Sequence, residues 1–198
     1  MSAGEQPTER ALAQRERILC AAERCFARRG FHAASIADIA GTADMSAGLI
    51  YRYFANKNAI VRAIIERQLV EGADLIDRAR APGDLADLVM YAFDHWSRRD
   101  EWSAALFLEI AAESTRDPDI ARTVQAADET IRVRLRNALQ RNANALGHGF
   151  SDTELRSRAL LLQCLIEGLA VRVLREPDLD RAELKAIVDR LVPRLVGD

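Results

Sequence analysis

"SIADIAGTADMSAGLIYRYFANK", Ser35 to Lys57, decides how this chain folds. Ser35 and Asp38 form a capping box: the hydroxyl accepts an orphan backbone N–H while the carboxylate reaches back to the cap. The helix they open is expected to end near Thr42. After the "ADMS" turn, Ser46 caps a second short helix ending about Phe54, and Asn56 caps a third, longer one. Ile50 and Phe54, four apart, share a face that meets the apolar side of the preceding helix, Ile36, Ile39 and Ala40. Upstream, from about Ala11 to Arg29, Ile18, Leu19, Ala22, Cys25 and Phe26 make one stripe, and Gly30 supplies the stop. A long helix followed by two short ones across a tight turn predicts a helix-turn-helix.

The residues left outward on the second short helix carry the chemistry. Small side chains at Ala47 and Gly48 let the helix backbone approach base edges. Leu49 suits a thymine methyl, and Arg52 suits a guanine edge or a phosphate. The hydroxyls of Tyr51 and Tyr53 can donate to phosphates while their rings pack. Asn56-Lys57 places a helix N-terminus beside an ammonium, which reads as a phosphate clamp, and Ser35 with Ser46 offers the same kind of helix start. Ser35, Ser46, Ala47, Gly48, Leu49, Tyr51, Arg52, Tyr53 and Lys57 are therefore the candidate contacts to double-stranded DNA.

The stretch Ser35 to Ile64 also resembles the DNA-binding signature of the tetracycline-repressor (TetR/AcrR-type) family. Ala43, Met45, Ser46, Ile50, Tyr51, Tyr53, Phe54 and Lys57 take the places of that pattern, and Phe26 with Gly30-Phe31 matches the end of the family's first helix. Two departures stand out. Asp44 replaces the usual turn glycine, and aspartate tolerates positive φ. Leu49 occupies a commonly polar position, which bears on base preference. The close match covers about a quarter of the chain. It implies a ligand-responsive regulator whose rear domain dimerises through its last two helices.

Beyond residue 56 the pattern stays helical. Start signals stand at Asp84 after the Pro82-Gly83 break, near Glu101, at Asp117-Pro118, at Ser151 and at Asp180. The corresponding ends fall near Arg80, Arg98, Ser114, Ala145, Arg175 and Val196. The expected fold is all-α: an N-terminal three-helix helix-turn-helix domain (1–55) joined by a long helix to a C-terminal ligand-binding and dimerisation bundle (56–198).

Composition sets the frame. The 198 residues are 49% hydrophobic and 29% charged, which is globular composition. Through Arg62 there are nine Lys/Arg against six Asp/Glu, and nineteen against twenty-four afterwards. A mildly basic front on an acidic rear fits an anion-binding head. Three cysteines without paired spacing imply no disulfide framework. Cys20 and Cys25, with three scattered histidines, suit no common metal pattern, so neither metal nor cofactor is expected. Cys25 reads as core, whereas Cys20 falls toward the side of its helix, where redox sensing is the alternative to packing. The N-terminus carries no apolar signal region and the greasiest run, Ala159 to Leu174, is broken by Gln163, Glu167 and Arg172. A cytoplasmic protein without a membrane partner is expected.

Two rear features point to partners. The helix over Glu154–Leu174 is apolar nearly all round, so one face can pack into its own bundle and the other against a twin, with Gly168 and Ala170 permitting close approach. The last helix adds Leu184, Ile187, Val188, Leu191 and Leu195. Five of eleven aromatics fall between Tyr91 and Phe107, and such a patch of rings suits a cavity for a flat or apolar ligand. Phe93, Trp96, Phe107, Ile110, Gln163 and Glu167 are the candidate ligand contacts, with Glu109, Glu113 and Asp128 on helices that would surround them. Gln163 and Glu167 share a face and suit a polar or cationic group. His95 lacks a serine, cysteine or carboxylate constellation, so the chain is not expected to be an enzyme. The expected function is a homodimeric regulator, most readily a repressor released from a palindromic operator by a small hydrophobic or cationic effector. An activator, or a helical sensor without DNA binding, is the alternative; Arg52, Tyr53 and Lys57 weigh against the sensor.

Overall fold

The computed structural model describes residues 9–97, 104–147 and 149–197. Its helices follow one another as α1 (Glu9–Arg29), α2 (Ile36–Ala43), α3 (Ala47–Tyr53), α4 (Lys57–Arg78) and α5 (Pro82–Trp96). They continue as α6 (Ala104–Ser114), α7 (Pro118–Ala145), α8 (Asp152–Arg175), α9 (Arg181–Leu191) and the short α10 (Arg194–Gly197). Among the described residues there is no strand, and no helix is long and apolar enough to cross a membrane.

The starts follow the anticipated caps because each supplies an oxygen to an orphan N–H. Ser35 accepts from Asp38 N, Ser46 from Leu49 N, Asn56 from Ala59 N, Asp117 from Asp119 N and Ile120 N, and Ser151 from Glu154 N. Gly30 ends α1 at φ 76°, and Asp44 ends α2 in the left-handed region at φ 51°. Asp44 thus adopts the conformation that its position demands.

Packing follows the apolar stripes. Ile18, Leu19 and Phe26 of α1, Ile39 of α2, Ile50 of α3 and Ile60 of α4 close the head's core. Cys25 belongs to it, with its sulfur 3.2 Å from Thr42 Oγ1. The long α4 runs from this head along α7, which packs on α8, while α5 and α6 cover α8 from the other side. Deeper in the joint, Arg67 of α4 donates to Glu16 and to the buried Glu23 of α1. Burying a lone Glu23 would be costly, and the guanidinium offsets it.

Two boundaries differ from expectation. Helix α5 begins at Pro82 rather than Asp84, because the Asp84 carboxylate caps from inside, accepting Arg80 N at 2.6 Å and Ala81 N at 2.9 Å. α9 stops at Leu191 instead of reaching Val196, since Pro193 has no N–H to continue the ladder, and α10 follows as a separate turn. The predicted start near Glu101, with Trp102, lies outside the described residues. Ile50 is fully buried beneath α3. Ile50→Ala should cost roughly 2–5 kcal/mol of stability, measured by chemical denaturation.

Candidate nucleic-acid interface and effector cavity

The α2–α3 turn is held on three sides. Met45 N donates to Ala40 O at 3.0 Å, the Ser46 hydroxyl caps α3 from outside, and Arg17 of α1 donates to Ala43 O at 2.8 Å. Ile50 and Phe54 anchor α3 inward, with the Arg15 guanidinium 5.3 Å from the Phe54 ring centre. Consequently Gly48, Tyr51 and Arg52 stand exposed, while Ala47, Leu49 and Tyr53 are half-buried on the rim. A Cβ built on Gly48 would meet nothing within 4 Å, so that surface is open to a partner's close approach. The candidate set on α3 thus forms one accessible ridge.

Ser35 caps α2 as anticipated, whereas the Lys57 side chain turns into the protein. The Ser35 hydroxyl serves its own helix, accepting from Asp38 N at 3.1 Å and donating to Asp38 Oδ2 at 2.7 Å. Those bonds hold the Asp38 carboxyl below the usual carboxylate range, with the Arg29 guanidinium helping. The Lys57 ammonium turns inward over the Phe31 ring, 4.4 Å from its centre. It donates to the carbonyls of Phe31 at 2.5 Å, Ala34 at 3.0 Å and His32 at 3.3 Å. Burial lowers its pKa, and the nearby Glu113 carboxylate partly restores it. Lys57 therefore fixes the α1–α2 loop, a task that residue type alone did not announce because its long stem reaches either way.

That loop meets the rear domain directly. Phe31 N donates to Glu109 Oε2 at 3.0 Å and His32 Nε2 pairs with the buried Glu113 at 2.8 Å, while in α4 behind the loop Asn58 donates to Asp117. Glu109 and Glu113 thus sit on α6, a helix that walls the cavity, but face the head and hold its loop. Their four-residue spacing on α6 was a legible signal, whereas their partner was not.

A cavity of about 360 Å³ lies among α4, α5, α6, α7 and α8. Of the candidate ligand contacts, Trp96, Phe107, Ile110 and Glu167 line it, joined by Asp128, Tyr91 and His95. Trp96 Nε1 donates to Ile166 O at 3.2 Å, and its ring centre lies 5.0 Å from that of Phe107. Phe93 and Gln163 lie elsewhere. Both are buried off the lining: Phe93 in the core, and Gln163 donating from Nε2 to Glu167 Oε1 at 2.9 Å. Burial pushes the carboxyls of Asp128 and Glu167 up, while Gln163 holds Glu167 back.

On α8, Leu160, Leu161, Leu165 and Leu174 are exposed, and on α9 so are Ile187 and Leu191. Gly168 is exposed, but Ala170 is fully buried and faces the core rather than a partner. Val188 is likewise buried, and Leu184 and Leu195 pack against the core, so the expected α9 stripe is divided between two faces. Burial raises the Cys20 thiol pKa, against the Arg67 contact that lowers it, which disfavours the reactive thiolate.

A three-helix head that presents α3, carried on a helical bundle with a ligand-sized cavity, defines a DNA-binding transcriptional regulator. Residues 18–64 match the family model for bacterial regulatory proteins of the tetR family, and residues 82–197 match the BetI-type transcriptional repressor C-terminal model. The chain is 31% identical over 155 residues to the HTH-type transcriptional regulator UidR of Escherichia coli (strain K12), with 71% of each chain covered. Salmonella enterica GusR superposes with a TM-score of 0.74 at 26% identity, over 98% of this chain and all of that one. SmeT of Stenotrophomonas maltophilia, in complex with triclosan, superposes at 0.74 and 23% identity, over 91% and 90%. The chain belongs to the TetR family of bacterial regulators; it is a regulator and not an enzyme.

A folded-state pKa raised by burial means that the native state holds the Asp128 proton more tightly than the unfolded chain does. That contribution is present at acid pH and is lost as pH rises from the ordinary carboxylate range through the raised value. Asp128→Asn should therefore raise the Tm at pH 7 and lose this advantage near about pH 4, measured by thermal melts at the two pH values.

Proposed function

We propose that the chain is a homodimeric repressor whose two α3 helices enter successive major grooves of a two-fold operator, and that a small apolar-bodied effector in the rear cavity releases it. The observation that carries this reading is the ridge on α3, open at Gly48 and Arg52 and anchored behind by Ile50 and Phe54. Ala47, Gly48 and Leu49 would lie closest to base edges, with Arg52 reading a guanine. Ser46, Tyr51 and Tyr53 would flank the phosphates, with the start of α2 at Ser35 on the other side. Lys57 acts behind them, holding the loop that sets the head's angle. The head would comprise residues 1–55, with α4 as the rod that carries it.

One recognition helix offers few base contacts, so a pair is needed, with half-sites about one helical turn apart. The exposed leucines of α8, beside Ile187 and Leu191 of α9, are the surface through which we expect the pair to form. Repression agrees with the BetI-type repressor model over the rear domain. SmeT, a repressor of the same fold, is seen with triclosan. Helix α6 supplies the route to the head: Phe107 and Ile110 face the cavity, while Glu109 and Glu113 hold the α1–α2 loop. A ligand that shifts α6 would move the heads off their spacing, and a coupling of roughly 1–3 kcal/mol weakens operator binding about five- to hundredfold. A DNA-bound life places the chain in the cytoplasm.

Arg52→Ala should weaken binding by roughly 1–3 kcal/mol and relax preference at one or two base positions. Tyr53→Phe should weaken all sequences about equally; both are read by selecting duplexes from random DNA and titrating them by fluorescence anisotropy. Leu161→Glu should yield monomers in analytical ultracentrifugation, with operator affinity falling accordingly.

A further inference from the structure

The charged side chains that line the cavity among the described residues are all carboxylates: Glu71, Asp128 and Glu167. Asp128 projects from α7 and Glu167 from α8, close enough that the Asp128 charge raises the proton affinity of Glu167. Both are half-buried and share the lining of one cavity with Trp96 and Phe107. Gln163, over nine-tenths buried, donates to the same Glu167 carboxylate and keeps a buried carbonyl oxygen without a hydrogen-bond partner. The basic group that acts on both carboxylates is Arg132, outside the lining, whose guanidinium is engaged by Glu129 at 3.0 Å. His95 is in the wall too, stacked on Tyr91 with ring centres 5.7 Å apart.

From this arrangement we propose that the cavity is built for an organic cation, with an ammonium or amidinium group between Asp128 and Glu167 and an apolar or aromatic body against Trp96 and Phe107. This rests on the reading of the cavity as the effector site and names the class of compound it takes. Two half-desolvated carboxylates disfavour their own charge, and a cation between them restores it. Aromatic faces add attraction for the same charge. An anion of equal size would meet three carboxylates and no lysine or arginine in the wall. Removing water from an uncompensated carboxylate makes a purely apolar guest unfavourable as well.

The test uses the full-length protein and three probes of one shape: 4-phenylbutylamine, 4-phenylbutanol and 4-phenylbutyrate, titrated calorimetrically without DNA. The amine should bind roughly tenfold or more tightly than the alcohol, with the acid weakest. Amine affinity should rise with pH as Asp128 and Glu167 ionise. The Asp128→Asn, Glu167→Gln double variant should abolish the amine's advantage, with the alcohol binding at least as tightly as before. Equal or tighter binding of the alcohol by the unaltered protein, an unchanged preference in the double variant, or no binding by any probe overturns the proposal. Release from a selected duplex is scored in parallel. Amine binding without release leaves the cation site standing and removes the cavity from the switch. Release by the alcohol with no preference for the amine does the reverse.

Discussion

Everything that the head can do depends on how the loop from Gly30 to Ala34 is gripped. Lys57 draws three of its carbonyls together from the head side, while Glu109 and Glu113 take a backbone N–H and the His32 ring from α6. Gly30 makes the grip fit: at φ 76°, a Cβ there would stand 3.2 Å from the Glu109 carboxylate. α2 begins just beyond this loop and α3 packs on α2, so the angle of the recognition helix is inherited from the grip. Charge-assisted hydrogen bonds suit such a joint, being directional and individually strong.

The same helix that grips the loop also walls the cavity. α6 has eleven residues, and alternate faces of it see the head and the ligand space. On the proposed reading, a helix this short would move nearly as a rigid body, and a guest pressing on Phe107 or Ile110 would act on Glu109 and Glu113 without an intermediary. The shift would then reach α3 through α2, which begins just beyond the gripped loop. The carboxylates at the far wall give this cavity a chemical preference, which its aromatic rings alone would not.

Local chemistry made most of the fold legible in the sequence. Ser35, Ser46, Asn56, Asp117 and Ser151 announce their helices because capping is decided within four residues. What stayed hidden were choices between two directions in space. Phe93 and Trp96 are three apart on α5, yet only Trp96 reaches the cavity lining, and that depends on where α6 and α8 lie. Ala170 and Gly168 are two apart on α8 and so face opposite ways, one into the core and one outward. Lys57, Glu109 and Glu113 were recognisable as charged groups near a helix end or on one face, but their common partner is a loop 23 or more residues away. Such pairings are properties of the packed chain.

The most direct test of the DNA-reading geometry is a major-groove footprint on a duplex selected from random DNA, using guanine N7 methylation as the probe. With the protein bound and no effector present, protection is expected in two clusters about one helical turn apart on one face, and lost at the Arg52-dependent guanine when Arg52 is replaced by alanine. Uniform methylation across every selected duplex, or protection confined to the minor groove, would contradict the placement of α3.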